Sequence, residues 1–265
     1  MITSYSNKSV KEVIQLNQKA KVRSEQGIFV AEGVKMFAEA PAELILRVYI
    51  AQRAEAELHG TYGAKLNKLS VETVADDVFD KMSDTKTPQG VLCLVRQFGY
   101  KLEELLTVRE CKKEPLFILL EDLQDPGNLG TVFRTGEGAG VDGIIMSSQT
   151  VDIYNPKTIR STMGSIYRVP FLYTDNLQET ICELQKNGIR VYAAHLDGVK
   201  HYDEYDYCSG TAFLVGNEGN GLKAETAGCA DERIRIPMEG SVESLNAAVA
   251  SSILLYEAYR QRRNR

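Results

Sequence analysis

The sequence predicts an α/β layer fold built on a mainly parallel sheet. Three observations carry that expectation. Over residues 117–256 short apolar runs alternate with helical stretches, the rhythm of strand–helix–strand units. Turn-forming or glycine-rich loops follow the runs that end at Leu120 and Val215, and parallel sheets hold their crevices beyond such strand ends. The composition, 43% hydrophobic and 25% charged, is that of an ordinary globular chain and excludes disordered, collagen-like and coiled-coil architectures. At roughly 150 residues per domain, the 265 residues make about 1.8 domains.

The front of the chain, 1–96, alternates in the same way. Phe29-Val30 precedes a helical pattern over 32–40, residues 44–50 read as a strand, and Val91-Leu92-Cys93-Leu94-Val95 reads as another. From 98 to 115 the chain is charged and weakly apolar, with Lys101, Glu103, Glu104, Arg109, Glu110, Lys112, Lys113 and Glu114. It reads as a linker with a helical turn or two. The chain therefore divides into a front domain over 1–97, a linker over 98–115 and a main domain over 116–265. In the main domain 116–120 is a short apolar strand, followed by a turn and a helix over 130–139. Strands are expected at 143–146, 169–173, 189–194, 211–215 and 233–236, with helices over 156–163 and 176–187. A long helix starts near 244. From Leu245 to Tyr256 it is apolar nearly all round, the pattern of a helix buried in a core or a subunit interface.

Several classes drop out. No run of about 18 apolar residues exists, so no membrane-spanning helix is expected, and the first residues lack the apolar core of a secretory signal. Five cysteines without C-x-x-C spacing argue against a disulfide framework and a zinc site, and fit thiols in a reducing cytoplasm. His59, His195 and His201 fall at no metal-ligand spacing. The net charge of -5 gives no global pull toward nucleic acid, but binding needs only a local basic face. Lys8, Lys11, Lys19, Lys21 and Arg23 stand against one acid, Glu12, near the start, and Arg260, Arg262, Arg263 and Arg265 close the chain. Each group alone reads as a solvated helix face or a soluble tail.

Gly138-Ala139-Gly140-Val141-Asp142-Gly143 matches a dinucleotide fingerprint literally. It closes a helix and leads into a strand, the reverse of what phosphate binding needs, so it reads as a helix C-cap and turn. Three other loops carry chemistry. After the strand ending at Leu120 comes Asp125-Pro126-Gly127-Asn128, turn chemistry, with Arg134 six residues beyond Asn128. If the helix begins early, both can face one crevice; alone, Asn128 reads as a cap and Arg134 as a surface residue. After Val215 comes Gly216-Asn217-Glu218-Gly219-Asn220-Gly221, whose small residues let a ligand touch the backbone and whose middle holds an acid. After Ile236 a loop leads to Ser244, the expected N-cap region of the last helix, where backbone N–H groups can hold a polar ligand edge.

The blocks N-L-G-T-V-F-R-T (128–135), L-V-G-N-E-G-N-G-L (214–222) and I-P-M-E-G-S-V-E-S-L-N-A-A-V-A (236–250), in this order, resemble motifs one to three of the SpoU-type (TrmH-like) RNA ribose 2'-O-methyltransferases, a branch of the SPOUT superfamily. The resemblance spans 116–260. Phe29-Val30-Ala31-Glu32-Gly33 and 82–91 resemble the small substrate-binding domain that precedes many bacterial rRNA members. The resemblance implies a parallel α/β sheet with a C-terminal trefoil knot, preceded by a small α/β RNA-binding domain, and a homodimer. It implies S-adenosylmethionine as cofactor, contacted by Gly216, Ile236 and Leu245, with Leu196 and Met238 as looser carry-overs. Arg134 would be the catalytic arginine with Asn128 beside it, and Glu218, Ser244 and Asn246 the polar residues of motifs two and three. The expected activity is ribose 2'-O-methylation of RNA, ribosomal RNA before tRNA. The rivals are a base-methylating relative and a non-catalytic RNA-binding protein.

The implied reaction is an in-line attack of a ribose hydroxyl on a methyl group already activated by a sulfonium. Positioning then supplies much of the acceleration, and the developing alkoxide needs a stabilising partner. Arginine stays protonated, so Arg134 is expected to act as a cation on the phosphate and the oxyanion, with a neighbouring phosphate or water taking the proton. No metal is required.

Overall fold

A computed structural model describes residues 1–107, 114–242 and 244–263. Arg109, Glu110, Cys111, Lys112 and Lys113 of the expected linker, Glu243 of the third loop, and Arg265 of the basic end lie outside the described residues. In chain order the front part runs α1 (Lys8–Gln18), α2 (Ala20–Gln26), β1 (Ile28–Glu32), α3 (Val34–Glu39), β2 (Ile45–Ala51), α4 (Glu55–Leu66), β3 (Val71–Val74), α5 (Asp76–Met82) and β4 (Val91–Arg96). Next come α6 (Leu102–Thr107), β5 (Leu116–Leu120), α7 (Pro126–Ala139), β6 (Gly143–Ser147), α8 (Pro156–Thr162), β7 (Phe171–Thr174), α9 (Leu177–Lys186) and β8 (Arg190–Ala194). The chain ends with β9 (Lys200–His201), β10 (Thr211–Val215), α10 (Ala224–Gly228), β11 (Glu232–Arg235) and α11 (Ala247–Arg263). The structure divides into two compact units, residues 1–98 with 152–167, and residues 99–151 with 168–265.

In the first unit, among the described residues, a sheet of order β1-β4-β2-β3 is antiparallel except between β2 and β3. The apolar run 91–95 fills the inner strand β4 and is buried throughout. Val10, Val13 and Leu16 recur at helical spacing on α1 and meet Val30, Leu92 and Phe79 in one core. The helix expected over 32–40 starts only at Val34, because Glu32 ends the strand and Gly33 turns the chain at φ 105. The Glu32 carboxylate is buried and accepts from Ser83 Oγ, Thr85 Oγ1 (2.8 Å) and the Asp84 N–H (3.0 Å), while Gln89 Oε1 accepts the Val34 N–H (2.9 Å). These bonds are why the two front blocks, distant in sequence, act as one structure. Residues 152–167, placed by the sequence in the main domain, pack instead with this unit. Helix α8 lies on β1, and Arg23, itself buried, reaches Asp152 Oδ2 with Nε (2.9 Å) and Nη2 (2.6 Å).

In the second unit, among the described residues, a sheet of order β7-β6-β5-β10-β8-β11-β9 is parallel at every pairing. The central runs of β5 and β10 are buried on both faces, as strands covered by helices on both sides must be. The order brings distant loops together: Leu120 pairs with Val215, Leu214 with Ala193, and Ala194 with Ile234. The loops after β5, β10, β8 and β11 therefore leave one edge of the sheet side by side. The Gly138–Gly143 pattern is a C-cap, as the sequence suggested: Gly140 is left-handed at φ 75 and its N–H bonds Glu137 O. The start of the expected linker holds helical turns, as the sequence suggested. Residues 102–107 form α6, Leu105 is buried in the second core, and a Cβ on Gly143 would stand 2.6 Å from Leu105 Cδ2.

Candidate active site

The first loop is organised by Asp125, not Asn128. Asp125 is the N-cap of α7 and accepts the Asn128 N–H (2.8 Å), with Pro126 at the first helical position. That releases the Asn128 side chain from the capping role its sequence position suggested. Its Nδ2 donates to Glu218 Oε1 (2.9 Å), and its Oδ1 accepts from Asn246 Nδ2 (3.0 Å). Glu218 also accepts the N–H groups of Gln124 (3.0 Å) and Asp125 (2.9 Å). One residue from each motif thus joins a single chain of bonds, Glu218 to Asn128 to Asn246. Burial by itself would push the Glu218 carboxyl up. The bonds from the Gln124 N–H, the Asn128 amide and the Asp125 N–H outweigh it and hold the carboxyl below its ordinary value. Glu218 is therefore held anionic at neutral pH, clamped to the first loop.

The last helix begins three residues later than the sequence suggested. It runs from Ala247, and its cap is Asn246, whose Oδ1 accepts the N–H groups of Ala248 (2.9 Å) and Val249 (3.2 Å). Ser244 is exposed in the loop before it. Asn246 wins because it is the residue whose short side chain stands two and three positions before those free donors.

Beneath these loops the second unit holds a cavity of about 440 Å³. Leu196, Gly216, Ile236, Met238 and Leu245 all line it, as do Glu218 and Ser244. Arg134, Asn128 and Asn246 do not. Gly216 lies where a side chain has no room, but the reason differs from the one its motif suggests. A Cβ there would stand 2.2 Å from the Gly221 carbonyl carbon and 2.4 Å from the Leu222 nitrogen, so the glycine is required by the loop's own closure. Arg134 is exposed on α7 and makes no hydrogen bond or ion pair among the described residues.

Sequence reasoning missed three contributors. Asn217 donates to Asp122 O (2.8 Å) and accepts the N–H groups of Gly219 (2.9 Å) and Asn220 (3.0 Å), which shapes the second loop. Asp122 stands at φ 55 and bonds Ser147 Oγ (2.7 Å) and Lys223 Nζ (2.7 Å). His195 lines the cavity from the end of β8. The rule that ligands sit beyond parallel strand ends points to His195 as well, since it follows the run 189–194. Nothing in the sequence marks a left-handed Asp122. The basic groups also change meaning. Arg23 is buried on Asp152, and Arg262 donates to the carbonyls of Tyr207 (2.8 Å), Glu114 (2.6 Å) and Ser209 (2.8 Å). Lys8, Lys11, Lys19 and Lys21 remain exposed.

The cavity has the size and lining of a small-molecule site. The cavity is lined by apolar side chains such as Leu196, Ile236, Met238 and Leu245 and by backbone at the ends of β8, β10 and β11, a lining that fits S-adenosylmethionine. Known proteins resemble the chain along its whole length. The sequence model of the SpoU rRNA methylase family matches residues 115–256, and that of the MRM3-like substrate binding domain matches residues 7–93. The chain is 32% identical over 257 residues to the 23S rRNA (guanosine(2553)-2'-O)-methyltransferase RlmP of Bacillus subtilis, covering 96% of this chain and 97% of that one. An AdoMet-bound rRNA methyltransferase from Sinorhizobium meliloti superposes with TM-score 0.84 at 32% identity, covering 98% of this chain and 97% of that one. The SpoU methyltransferase AviRb from Streptomyces viridochromogenes superposes with TM-score 0.84 at 25% identity, covering 97% and 98%. With a family match over more than half its length and a relative 32% identical along nearly the whole chain, the chain belongs to the SpoU rRNA methylase family.

Proposed function

We propose that this chain methylates the ribose 2'-hydroxyl of an RNA, ribosomal RNA in the first instance, using S-adenosylmethionine held in the 440 Å³ cavity. The observation that carries the reading is that this one cavity collects Gly216, Ile236, Met238 and Leu245 from the second and third motifs and Leu196 from the loop after β8. The whole-length likeness to a 23S rRNA enzyme, front part included, supports ribosomal RNA over tRNA.

The cofactor, when bound, supplies a methyl group activated on a sulfonium. Leu196, Ile236, Met238 and Leu245 exclude water and grip apolar surface. Gly216 closes the loop and leaves its backbone facing the ligand. Glu218 holds the first and second loops together, and Asn128 and Asn246 tie the third loop to them. Ser244, exposed at the cavity's lip, offers a hydroxyl to ligand or RNA. Arg134 binds an RNA phosphate and stabilises the negative charge that develops on the attacking oxygen.

The RNA partner is taken by the first unit, through exposed Lys8, Lys11, Lys19 and Lys86, and residues 99 onward carry the transfer site. The protein is a homodimer. Helix α11 buries Ala248, Ser251, Leu254, Leu255 and Ala258 and leaves Val249 and Tyr256 about half exposed on its other side, one turn-aligned apolar face that a second copy would cover. The trefoil knot belongs to the same reading: the loops after β8, β10 and β11, all from the last third of the chain, wrap one cavity. No described helix is long and apolar enough to cross a membrane, and a cytoplasmic location goes with the rRNA reading.

Two measurements test the reading. Isothermal titration should show saturable S-adenosylmethionine binding to the purified chain. Mapping 2'-O-methyl groups in RNA from cells with and without the chain should reveal a site that disappears with it. Absence of binding, with or without RNA, would sink the proposal.

A further inference from the structure

We propose that His195 is a positioning residue of this cavity: its ring Nδ1 folds the loop that forms one wall, and only the neutral imidazole does so. The inference rests on the reading that the cavity takes S-adenosylmethionine. His195 follows β8 at the sheet edge, where its N–H donates to Ile234 O (3.0 Å). Its Nδ1 accepts the Asp197 N–H (3.1 Å), and its carbonyl accepts the Gly198 N–H (3.1 Å). The two bonds close a turn over 195–198. That turn is pressed onto the third-motif strand, since a Cβ on Gly198 would stand 2.6 Å from both the Arg235 nitrogen and the Ile234 carbonyl carbon. His195, Leu196 and Asp197 all line the cavity. Leu196 is 56% exposed, so its place at the cavity is set by the turn and not by packing.

A ring nitrogen that accepts a backbone N–H carries no proton, so the neutral ring holds its proton on Nε2. Adding a second proton puts a donor at Nδ1 opposite the Asp197 donor, and the turn loses its side-chain bond. The charged groups around the ring are few. The Asp197 carboxylate lies 3.7 Å from Nδ1 but is largely exposed. Glu218, held by three donors, and Arg235, whose Nη2 lies 3.1 Å from His201 Nε2, line the same cavity from the second and third loops. Asparagine can replace the histidine without titrating, because its side-chain carbonyl accepts the N–H two residues on in an Asx turn.

The test is isothermal titration of S-adenosylmethionine and of S-adenosylhomocysteine against the full chain across about pH 5 to 8, the range in which histidines change charge. Wild type, His195→Asn and His195→Ala are compared, and the free proteins are followed by nitrogen-15 NMR at the His195 ring and the Asp197 amide. For wild type, affinity for both ligands should be level at the upper end and fall toward pH 5, by up to about tenfold per pH unit. His195→Asn should bind within a few-fold of the wild-type affinity at about pH 8, with no pH slope. His195→Ala should bind about tenfold more weakly than wild type at about pH 8, the scale of one lost hydrogen bond, with no pH slope, so that wild type converges on it toward about pH 5. The Asp197 amide of the free wild type should shift with the His195 titration. Wild-type affinity and slope in His195→Ala, a retained slope in His195→Asn, a loss confined to the sulfonium ligand, or a protonated Nδ1 in the neutral ring would each overturn the proposal alone. A wild type that binds neither ligand at any pH overturns the reading of the cavity and the proposal with it.

Discussion

Arg134 and Glu218 have opposite situations, and their substitutions should separate accordingly. Arg134 is exposed and makes no hydrogen bond or ion pair among the described residues, so Arg134→Ala should leave folding and cofactor affinity near wild type. Single-turnover methyl transfer at saturating RNA should slow by about 10²–10³-fold, the scale for one oxyanion-stabilising group. Arg134→Lys keeps the charge and loses the planar fork, and should be nearly as slow as alanine. A wild-type single-turnover rate in Arg134→Ala would demote the residue to a surface arginine. Glu218 should act on stability. Its carboxyl is held below its ordinary value, so its stabilising effect is complete above the ordinary range near about 4.3 and is lost as pH falls through the lower native value. Glu218→Gln presents an amide N–H to backbone donors. The melting temperatures of the two proteins should differ most at neutral pH and converge toward about pH 3. A constant difference at all pH values would show that the charge is not what matters. Gly216→Ala should reduce cofactor affinity together with stability, because the new methyl meets backbone at 2.2 Å; lost affinity with an unchanged melting temperature would place the side chain in the ligand's space instead.

Helix α11 is fixed at both ends by side chains with second jobs. Asn246 caps its first turn and also donates to Asn128. Asn246→Ala should cost about 1 kcal/mol of stability, as capping losses do, and weaken cofactor binding. Asn246→Asp keeps the cap acceptor but sets a carboxylate against Asn128 Oδ1. It should hold the melting temperature within a degree or two of wild type while lowering cofactor affinity by titration. Equal loss of both properties in the two variants would mean that the cap alone orders the third loop. At the far end, the Arg262 guanidinium, whose proton affinity burial lowers, ties the last turns to the carbonyls of Tyr207, Glu114 and Ser209. Gln261 adds a bond to the Tyr205 carbonyl (2.9 Å). The basic end of the sequence is thus partly a fastening.

The two compact units set what can be tested on the intact chain. A chain cut near Lys101 would leave residues 152–167 without the partners they pack on, Arg23 among them, so surface substitution is the better probe of RNA binding. Changing Lys8, Lys11 and Lys19 together to glutamate should weaken RNA binding, flatten its salt dependence and leave S-adenosylmethionine affinity unchanged. Unaltered RNA affinity would remove α1 from the interface. Light scattering should give twice 29.5 kDa at micromolar concentration. Replacing Val249 and Tyr256 with lysine should yield monomer; a wild type that is already monomeric would refute the dimer.

Sequence by itself determined the fold class and β5 to β8, β10 and β11 of the second unit, because strands buried on both faces read as unbroken apolar runs such as 116–120 and 211–215, whereas β9 is two residues long and carries no such run. It also identified the family, since three loops with unusual glycine and polar spacing carry that signal locally. It did not reveal β3, a half-buried strand of four residues with no alternation to see, nor that 152–167 packs with the first unit, since that rests on contacts between residues far apart in the chain, Arg23 with Asp152 and Phe29 with Tyr154 among them. Only the tertiary structure decided which polar residue does what. Asp125 and Asn246 are the caps because helix starts depend on where the backbone leaves its neighbours, and Asn128 and Glu218 meet because β5 and β10 are adjacent in the sheet. A sequence names the groups at each strand end; the strand order decides which of them share a cavity.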